Sequence, residues 1–267
     1  PLHGIPLIVK DQCETAFLPT TYGTRSYRNY QPPGNAFLVH KLLAAGAIIL
    51  GKSSMCDFAA GWFSFSSVTD KTRNPYDLER DSGGSSAGTA AGVAANFAMA
   101  GIGEDTGGSI RLPASFNNLY GLRVTTGLIS RSGFSPLVHF QDTPGPMARN
   151  VSDLARLLDV IVGYDRDDPY TVAADLCPDA GHFADTLAGG RIAGQRIGVL
   201  RQGFGPDTDD SGPVNAVVRS LLERWEEEGA ILVEVDLPDI QNWIIETSLY
   251  IQQSRMDLDA CMATRAG

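Results

Sequence analysis

The amino-acid sequence predicts an α/β protein, and three consecutive segments near its start carry that expectation. Ile5 to Val9 is a short apolar run closed by Lys10-Asp11, the pattern of a buried strand. Asn35 can cap a helix through Ala45, with Phe37, Leu38, Leu42 and Leu43 at its apolar positions and Gly46 as its stop. Ala47-Ile-Ile-Leu50 then reads as a second buried strand. Strand, helix and strand at this pitch is the unit from which helix-covered sheets are built.

The remaining elements follow in order. The polar stretch from Asp70 to Asp81, with Asn74-Pro75, is expected to be loop. Ser82-Gly-Gly-Ser-Ser-Ala-Gly-Thr89 then leads into small residues through Asn96 that suit a tightly packed helix. Phe97 to Ile102 is expected as a strand, and a second Gly/Ser cluster follows at Thr106-Gly-Gly-Ser109. Asn150 or Ser152 starts an amphipathic helix through Val162, and Asp165 to Gln195 reads as a surface excursion. Strands at Ile197–Leu200 and Ile231–Val235 flank a helix from Val214 to Glu228, a unit expected to extend the sheet rather than found a domain. Trp243 to Arg265 reads as one helix, with its Trp243–Tyr250 stripe in the core. Pro1 in the place of an initiator Met and a helix running to the end make the chain read as an internal piece, truncated at both ends.

Composition narrows the function classes. With 267 residues, 43% hydrophobic and 19% charged, the chain is an ordinary globular sequence of one large domain. The 21 Lys and Arg against 31 Asp and Glu give a net charge of −10, the wrong sign for a general nucleic-acid binder. No apolar run approaches the ~20 residues that span a bilayer, so no membrane is expected. Cys13, Cys56, Cys177 and Cys261 form no C-x-x-C pair, which fits a reducing, cytoplasmic setting. The four histidines are scattered, and neither a metal nor a cofactor is expected.

Two common motifs match literally and fail on context. Gly46-Ala-Ile-Ile-Leu-Gly-Lys-Ser53 has the phosphate-loop spacing, but its variable residues look like strand where an open loop is needed. Gly84-Ser-Ser-Ala-Gly88 has the hydrolase-elbow spacing around Ser86, but a polar loop precedes it and His139 and His182 stand in unremarkable surroundings. Hydrolysis by another route stays open. A serine among glycines allows close backbone approach, and a lysine desolvated at the end of a buried strand can serve as a base. Ser109 fits the first description, Lys10 the second, and Lys52 is a second candidate base. Taken singly these residues have plainer readings: a solvated strand-end lysine for Lys10, a helix cap for Ser85, a turn serine for Ser109.

Their joint pattern resembles a family. Gly83-Gly-Ser-Ser-Ala-Gly-Thr-Ala-Ala-Gly-Val-Ala-Ala95 and Gly103-Glu-Asp-Thr-Gly-Gly-Ser-Ile-Arg-Leu-Pro-Ala114 are similar to the two central motifs of the amidase signature family. Gly4-Ile-Pro-Leu-Ile-Val-Lys-Asp11, Gly51-Lys-Ser-Ser-Met-Cys-Asp-Phe58, Arg73-Asn-Pro-Tyr76 and Asp142-Thr-Pro-Gly-Pro-Met-Ala-Arg149 add four more in the family's order. The resemblance implies a mixed central sheet with helices on both faces, as a single domain over 1–267 with a catalytic core at about 1–168 and a peripheral part at about 169–267.

It also implies a Lys–cis-Ser–Ser triad at Lys10, Ser85 and Ser109, spaced by 75 and 24 residues as in the family. Ser109 would attack the amide carbonyl, and Ser85 would relay its proton to neutral Lys10. The N–H groups of Thr106, Gly107, Gly108 and Ser109 would form the oxyanion hole. Ala59 would line the acyl pocket. Asp105 and Arg111 most simply form an ion pair that shapes the loop, the functional reading being that Arg111 receives a substrate carboxylate. Among the departures from the family's usual sequence are Gln12, Ser53-Ser54, Ala87 and, nearest the triad, Glu104, whose carboxylate could hold Lys10 charged.

The activity implied is hydrolysis of a small-molecule carboxylic amide through an acyl-enzyme, with homo-oligomerisation left open. Two alternatives accompany it. One is the A subunit of a glutamyl-tRNA amidotransferase, which would bring tRNA and a second protein chain as partners. The other is a catalytically inactive scaffold of the same fold.

Overall fold

A computed structural model describes residues 1–265 of the chain. The chain begins with β1 (Pro6–Lys10), α1 (Phe37–Ala44) and β2 (Ile48–Ser53). Two small antiparallel pairs follow: β3 (Phe65–Ser66) with β4 (Asp70–Lys71), and β5 (Arg73–Asn74) with β6 (Asp77–Asp81). Next come α2 (Ala87–Ala94), β7 (Ala100–Asp105), α3 (Arg111–Phe116), β8 (Tyr120–Gly121), β9 (Thr143–Ala148), α4 (Val151–Ile161) and α5 (Val172–Asp175). The last part of the chain holds β10 (Arg196–Leu200), α6 (Ser211–Glu227), β11 (Ile231–Val235), α7 (Ile240–Glu246) and α8 (Tyr250–Ala263). Among the described residues, no helix is long and apolar enough to cross a membrane.

The chain divides into two compact units, one of Pro1–Asp185 with the segment from Leu249 onward, the other of Thr186–Ser248. In the first, five strands form a mixed sheet in the order β2-β1-β7-β9-β8. β1 runs parallel to β2 and β7, whereas β9 runs antiparallel to β7 and β8. Alternation along each strand serves two faces. Leu7, Val9, Ala100, Ile102 and Ala148 join Leu38, Leu42, Leu154, Leu158 and Ile161 of α1 and α4 in one core. Ile8 and Met147 point the other way, toward Val93 of α2 and Ala114 of α3. The sheet is therefore mixed and helix-covered on both faces, as the resemblance implies. α2 lies so close to the β2–β3 connection that a Cβ on Gly88 would sit 2.3 Å from the Ser54 nitrogen, so only glycine fits there.

In the second unit, β10 and β11 pair in parallel over Arg196↔Ile231 to Leu200↔Val235, and α6 joins them. They form a two-stranded sheet of their own rather than extending the five-stranded one.

Other local expectations change for physical reasons. The helix cap at α1 is Ala36, because the Asn35 side chain is occupied in accepting the Ala16 N–H at 2.7 Å. At α2 the cap is Ser86, not Ser85. At α4, Asn150 caps as expected, its side chain accepting the Asp153 N–H at 2.8 Å. β2 is an edge strand, and its Ile48 and Leu50 are exposed rather than buried. The expected strand from Phe97 starts at Ala100 and leaves Phe97 exposed. The Asp70–Asp81 loop contains the paired β4, β5 and β6, and Asp165–Gln195 contains α5 and short 3-10 turns. The last helix is broken between Glu246 and Tyr250 into α7 and α8. Trp243, Ile244 and Ile245 are exposed, while Tyr250 packs on a small cluster of Met55, Ala59, Leu137 and Val138.

Candidate active site

Parallel neighbours β1 and β7 end at the same edge of the sheet, and the chain reaches that edge with its chemistry-bearing residues. This is where open α/β sheets place ligands, beyond the carboxyl ends of the strands. Lys10 is the last residue of β1, and Glu104 and Asp105 are the last of β7. Lys10 lies two residues beyond Ile8 and so on the α2 side of the sheet. The start of α2 comes to meet it.

Lys10 is fully buried, and its ammonium group has three partners. It donates to Ser85 Oγ at 2.7 Å, to the Glu104 carbonyl at 3.1 Å and to Glu104 Oε2 at 3.3 Å. Ser85 is also fully buried, and the Gly84–Ser85 peptide is cis. Ser109 is 2% exposed, on the loop between β7 and α3, and its carbonyl accepts the Ser86 N–H at 3.2 Å. The two glycine-rich segments are thus joined by a main-chain bond. Ser86 itself is absorbed in this join: its hydroxyl donates to the Glu104 carbonyl at 3.2 Å and accepts the Glu104 N–H at 3.3 Å.

Asp105 organises the loop that carries Ser109. It is fully buried, and its carboxylate accepts the N–H groups of Gly108 at 2.7 Å, Ile110 at 3.0 Å and Arg111 at 3.3 Å. The expected ion pair with Arg111 is present at 3.2 Å, and Arg123 adds a second at 3.1 Å. Gly108 completes the turn at φ +130°, a conformation that favours glycine. Burial alone would raise the Asp105 carboxyl, but Arg111 and the N–H donors of Ile110 and Gly108 bring it down to about 2. Asp105→Asn turns one acceptor into a donor facing donors, with an expected loss of about 3 kcal/mol at pH 7 in denaturant unfolding. A depressed carboxyl stabilises the fold above its unfolded value, 3.8 in this case, and loses that effect as pH falls toward 2. The difference between parent and variant should therefore narrow below about pH 4.

A second acidic group stands behind Glu104. Thr106 Oγ1 lies 3.2 Å from Glu104 Oε1 and 2.6 Å from Asp142 Oδ1. Asp142 also accepts the N–H groups of Leu137 at 2.8 Å and Val138 at 3.1 Å. Burial first, then the nearby Glu104 carboxylate, push Asp142 up to about 8. In the sequence Asp142 stands out only as the first residue of a matched motif; the fold brings it to the site.

Ala59 is fully buried with φ +61°, directly after Phe58 at φ +51°. A cavity of about 340 Å³ opens beside it, lined by Phe58, Ala60, Leu137, Tyr250, Leu258 and Met262 among others. Thr106 is buried and Gly107 is exposed at the loop tip. Lys52 is tied elsewhere, to Asp11 Oδ1 at 3.1 Å and Thr20 Oγ1 at 2.7 Å. His139 stacks edge-on against Tyr170, and His182 is exposed beside Asp185 at 3.4 Å. Among the described residues no group of three or more His, Cys, Asp or Glu is placed to hold a metal ion.

The sheet end thus brings together two glycine-rich serine loops and a buried lysine, and comparison with known proteins supplies the family. The Amidase family model matches residues 1–262, and the chain belongs to that family. It is 43% identical to the A subunit of the glutamyl-tRNA(Gln) amidotransferase of Symbiobacterium thermophilum, over 90% of this chain and 48% of that protein. It superimposes on the native peptide amidase of Stenotrophomonas maltophilia with a TM-score of 0.90 and 34% identity, over 100% of this chain and 55% of that one. On the A subunit of the glutamyl-tRNA(Gln) amidotransferase of Thermotoga maritima the TM-score is 0.84 and the identity 31%, over 97% and 56%. The chain spans about half the length of the curated relatives it matches.

Proposed function

We propose that this chain carries the catalytic core of an amidase that hydrolyses a carboxylic amide to the acid and ammonia or an amine. The observation that carries the reading is the buried 2.7 Å bond from Lys10 Nζ to Ser85 Oγ, at a sheet end that Ser109 also reaches. Ser109 is the nucleophile. As its oxygen attacks the carbonyl carbon, its proton passes to Ser85 Oγ, and the Ser85 proton passes to Lys10 in its neutral form. The tetrahedral oxyanion meets main-chain N–H groups of the Thr106–Ser109 loop. The Gly108 N–H is already given to Asp105, so this role falls to Thr106, Gly107 and Ser109. The relay then runs in reverse and protonates the departing nitrogen as the C–N bond breaks. Water, deprotonated by the same relay, cleaves the acyl-enzyme and restores Ser109. The cavity beside Ala59 is apolar at Phe58, Leu137, Leu258 and Met262 and polar at Ser254, Arg255 and Asp259, which suits an amide with both an apolar part and polar groups, such as a peptide amide. The test is ammonia release by the full-length protein across a panel of aliphatic, aryl and peptide amides. Release from at least one member is expected, and silence from a folded protein would count against the reading.

A second reading is the glutaminase and transamidase component of a larger assembly. It is favoured by relatives that are A subunits of glutamyl-tRNA(Gln) amidotransferases, one of them 43% identical over 90% of this chain. Both readings use the same serine chemistry and differ in the acceptor. Glutaminase activity that rises with partner subunits, ATP and charged tRNA would select the second; robust release from simple amides by the protein alone selects the first.

A further inference from the structure

The proposed relay needs Lys10 neutral, yet the fold pairs Lys10 with a carboxylate at 3.3 Å, both side chains being buried. Glu104 and Lys10 are 1% and 0% exposed, so solvent does little to screen the pair. Thr106 has a single hydroxyl proton, but its oxygen contacts both Glu104 Oε1 and Asp142 Oδ1. Both contacts are hydrogen bonds only if one carboxyl is protonated. The shorter, at 2.6 Å, is to Asp142, the carboxyl that burial and Glu104 hold up near 8. Glu104 is left with Oε1 on Thr106 and Oε2 turned to Lys10.

The other titratable groups around Lys10 do not compete. Burial raises the Cys56 thiol, partly offset by Lys10, and burial raises the Tyr250 phenol, with Glu104, Cys56 and Asp142 adding to it. Both stay neutral at physiological pH. The carboxylate of Asp105 is engaged by Arg111 and Arg123.

We propose that Glu104 is a positioning residue that holds Lys10 as an ammonium ion in the resting site, so that the relay becomes competent only when Lys10 loses that proton to solvent. The exchange is balanced: a neutral Lys–Glu pair releases one proton and becomes an amine beside a carboxylate, with net charge −1. The inference rests on the amidase reading for its kinetic consequence but not for its structural one. Activity should rise with pH on an acidic limb set by the pair.

The experiment compares the full-length protein with its Glu104→Gln variant, which keeps the hydrogen bond and removes the charge. In kcat/KM against pH, the limb of the variant should lie lower by about one pH unit or more. In parallel, nitrogen-15 NMR of the lysine side chains, with Lys10 assigned from Lys10→Met, reads its protonation directly. The ammonium form should persist to higher pH in the parent than in Glu104→Gln. A merely structural role would change yield or kcat without moving either curve. Coincident Lys10 titrations in the two proteins, or a neutral Lys10 in the parent at pH 7, would overturn the inference. If the parent releases no ammonia, the amidase reading fails while the NMR titration still decides the pairing. Should Glu104→Gln not fold, Glu104→Thr provides the same comparison.

Discussion

Replacing Ser109 by alanine is expected to lower amide turnover by a factor on the order of 10⁴ or more while leaving the protein folded. The magnitude follows from removing a nucleophile, since what remains is oxyanion stabilisation and substrate binding alone. The structural half of the expectation comes from where Ser109 sits. It is nearly closed to solvent, and its carbonyl is what ties it to its surroundings, by accepting the Ser86 N–H. Alanine keeps that carbonyl. The loop conformation is held by Asp105, through Gly108, Ile110 and Arg111, and not by the serine hydroxyl. Unfolding free energy should therefore change by no more than about 1 kcal/mol, and circular dichroism of the variant should match the parent. Substantial ammonia release by Ser109→Ala would contradict the assignment of the nucleophile.

Lys10→Met is expected to do two things at once. It removes the base, for a loss on the order of 10²- to 10⁴-fold in kcat. It also strands the Glu104 carboxylate in a closed site, and breaking a buried pair from one side costs about 3–5 kcal/mol. The two effects can be separated. Adding Glu104→Gln to Lys10→Met removes the orphaned charge, so most of the lost stability should return while the activity does not. Denaturant unfolding of the four proteins closes this cycle. If the double variant is no more stable than Lys10→Met alone, the ion pair is not what Lys10 contributes to the fold. If Lys10→Met turns over amide at the parental rate, the relay is wrong.

Much of this site is legible in the amino-acid sequence, because its parts are local. Lys10 at the end of an apolar run, and serines among glycines at two points, are patterns written within a few neighbouring residues. Even Glu104 stands out, as a departure from the family's usual sequence beside the second glycine cluster. The place of Asp142 in the site is not legible, because it lies 36 residues from Thr106 and only the antiparallel pairing of β9 with β7 brings it there. The same distinction governs the fold. The runs that form β1, β10 and β11 are legible as strands, since period and composition are local properties. Which of them pair is not, and β10 and β11 join each other rather than the larger sheet. Nor does an apolar run reveal what covers it: Ile48 and Leu50 form a strand as expected, but at a sheet edge, where they stay exposed. The engagement of the Gly108 N–H by Asp105 is a third case, settled by a turn whose φ of +130° no sequence pattern specifies.

A nucleophilic Ser109, activated through Ser85 and Lys10, should be open to covalent capture. This is tested most directly by treating the full-length protein with a serine-directed fluorophosphonate and locating the adduct by peptide mass spectrometry. One phosphonylated serine is expected, Ser109, with labelling lost in Ser109→Ala and slowed in Lys10→Met. An adduct on Ser86 or another residue, or undiminished labelling of Ser109→Ala, would contradict it.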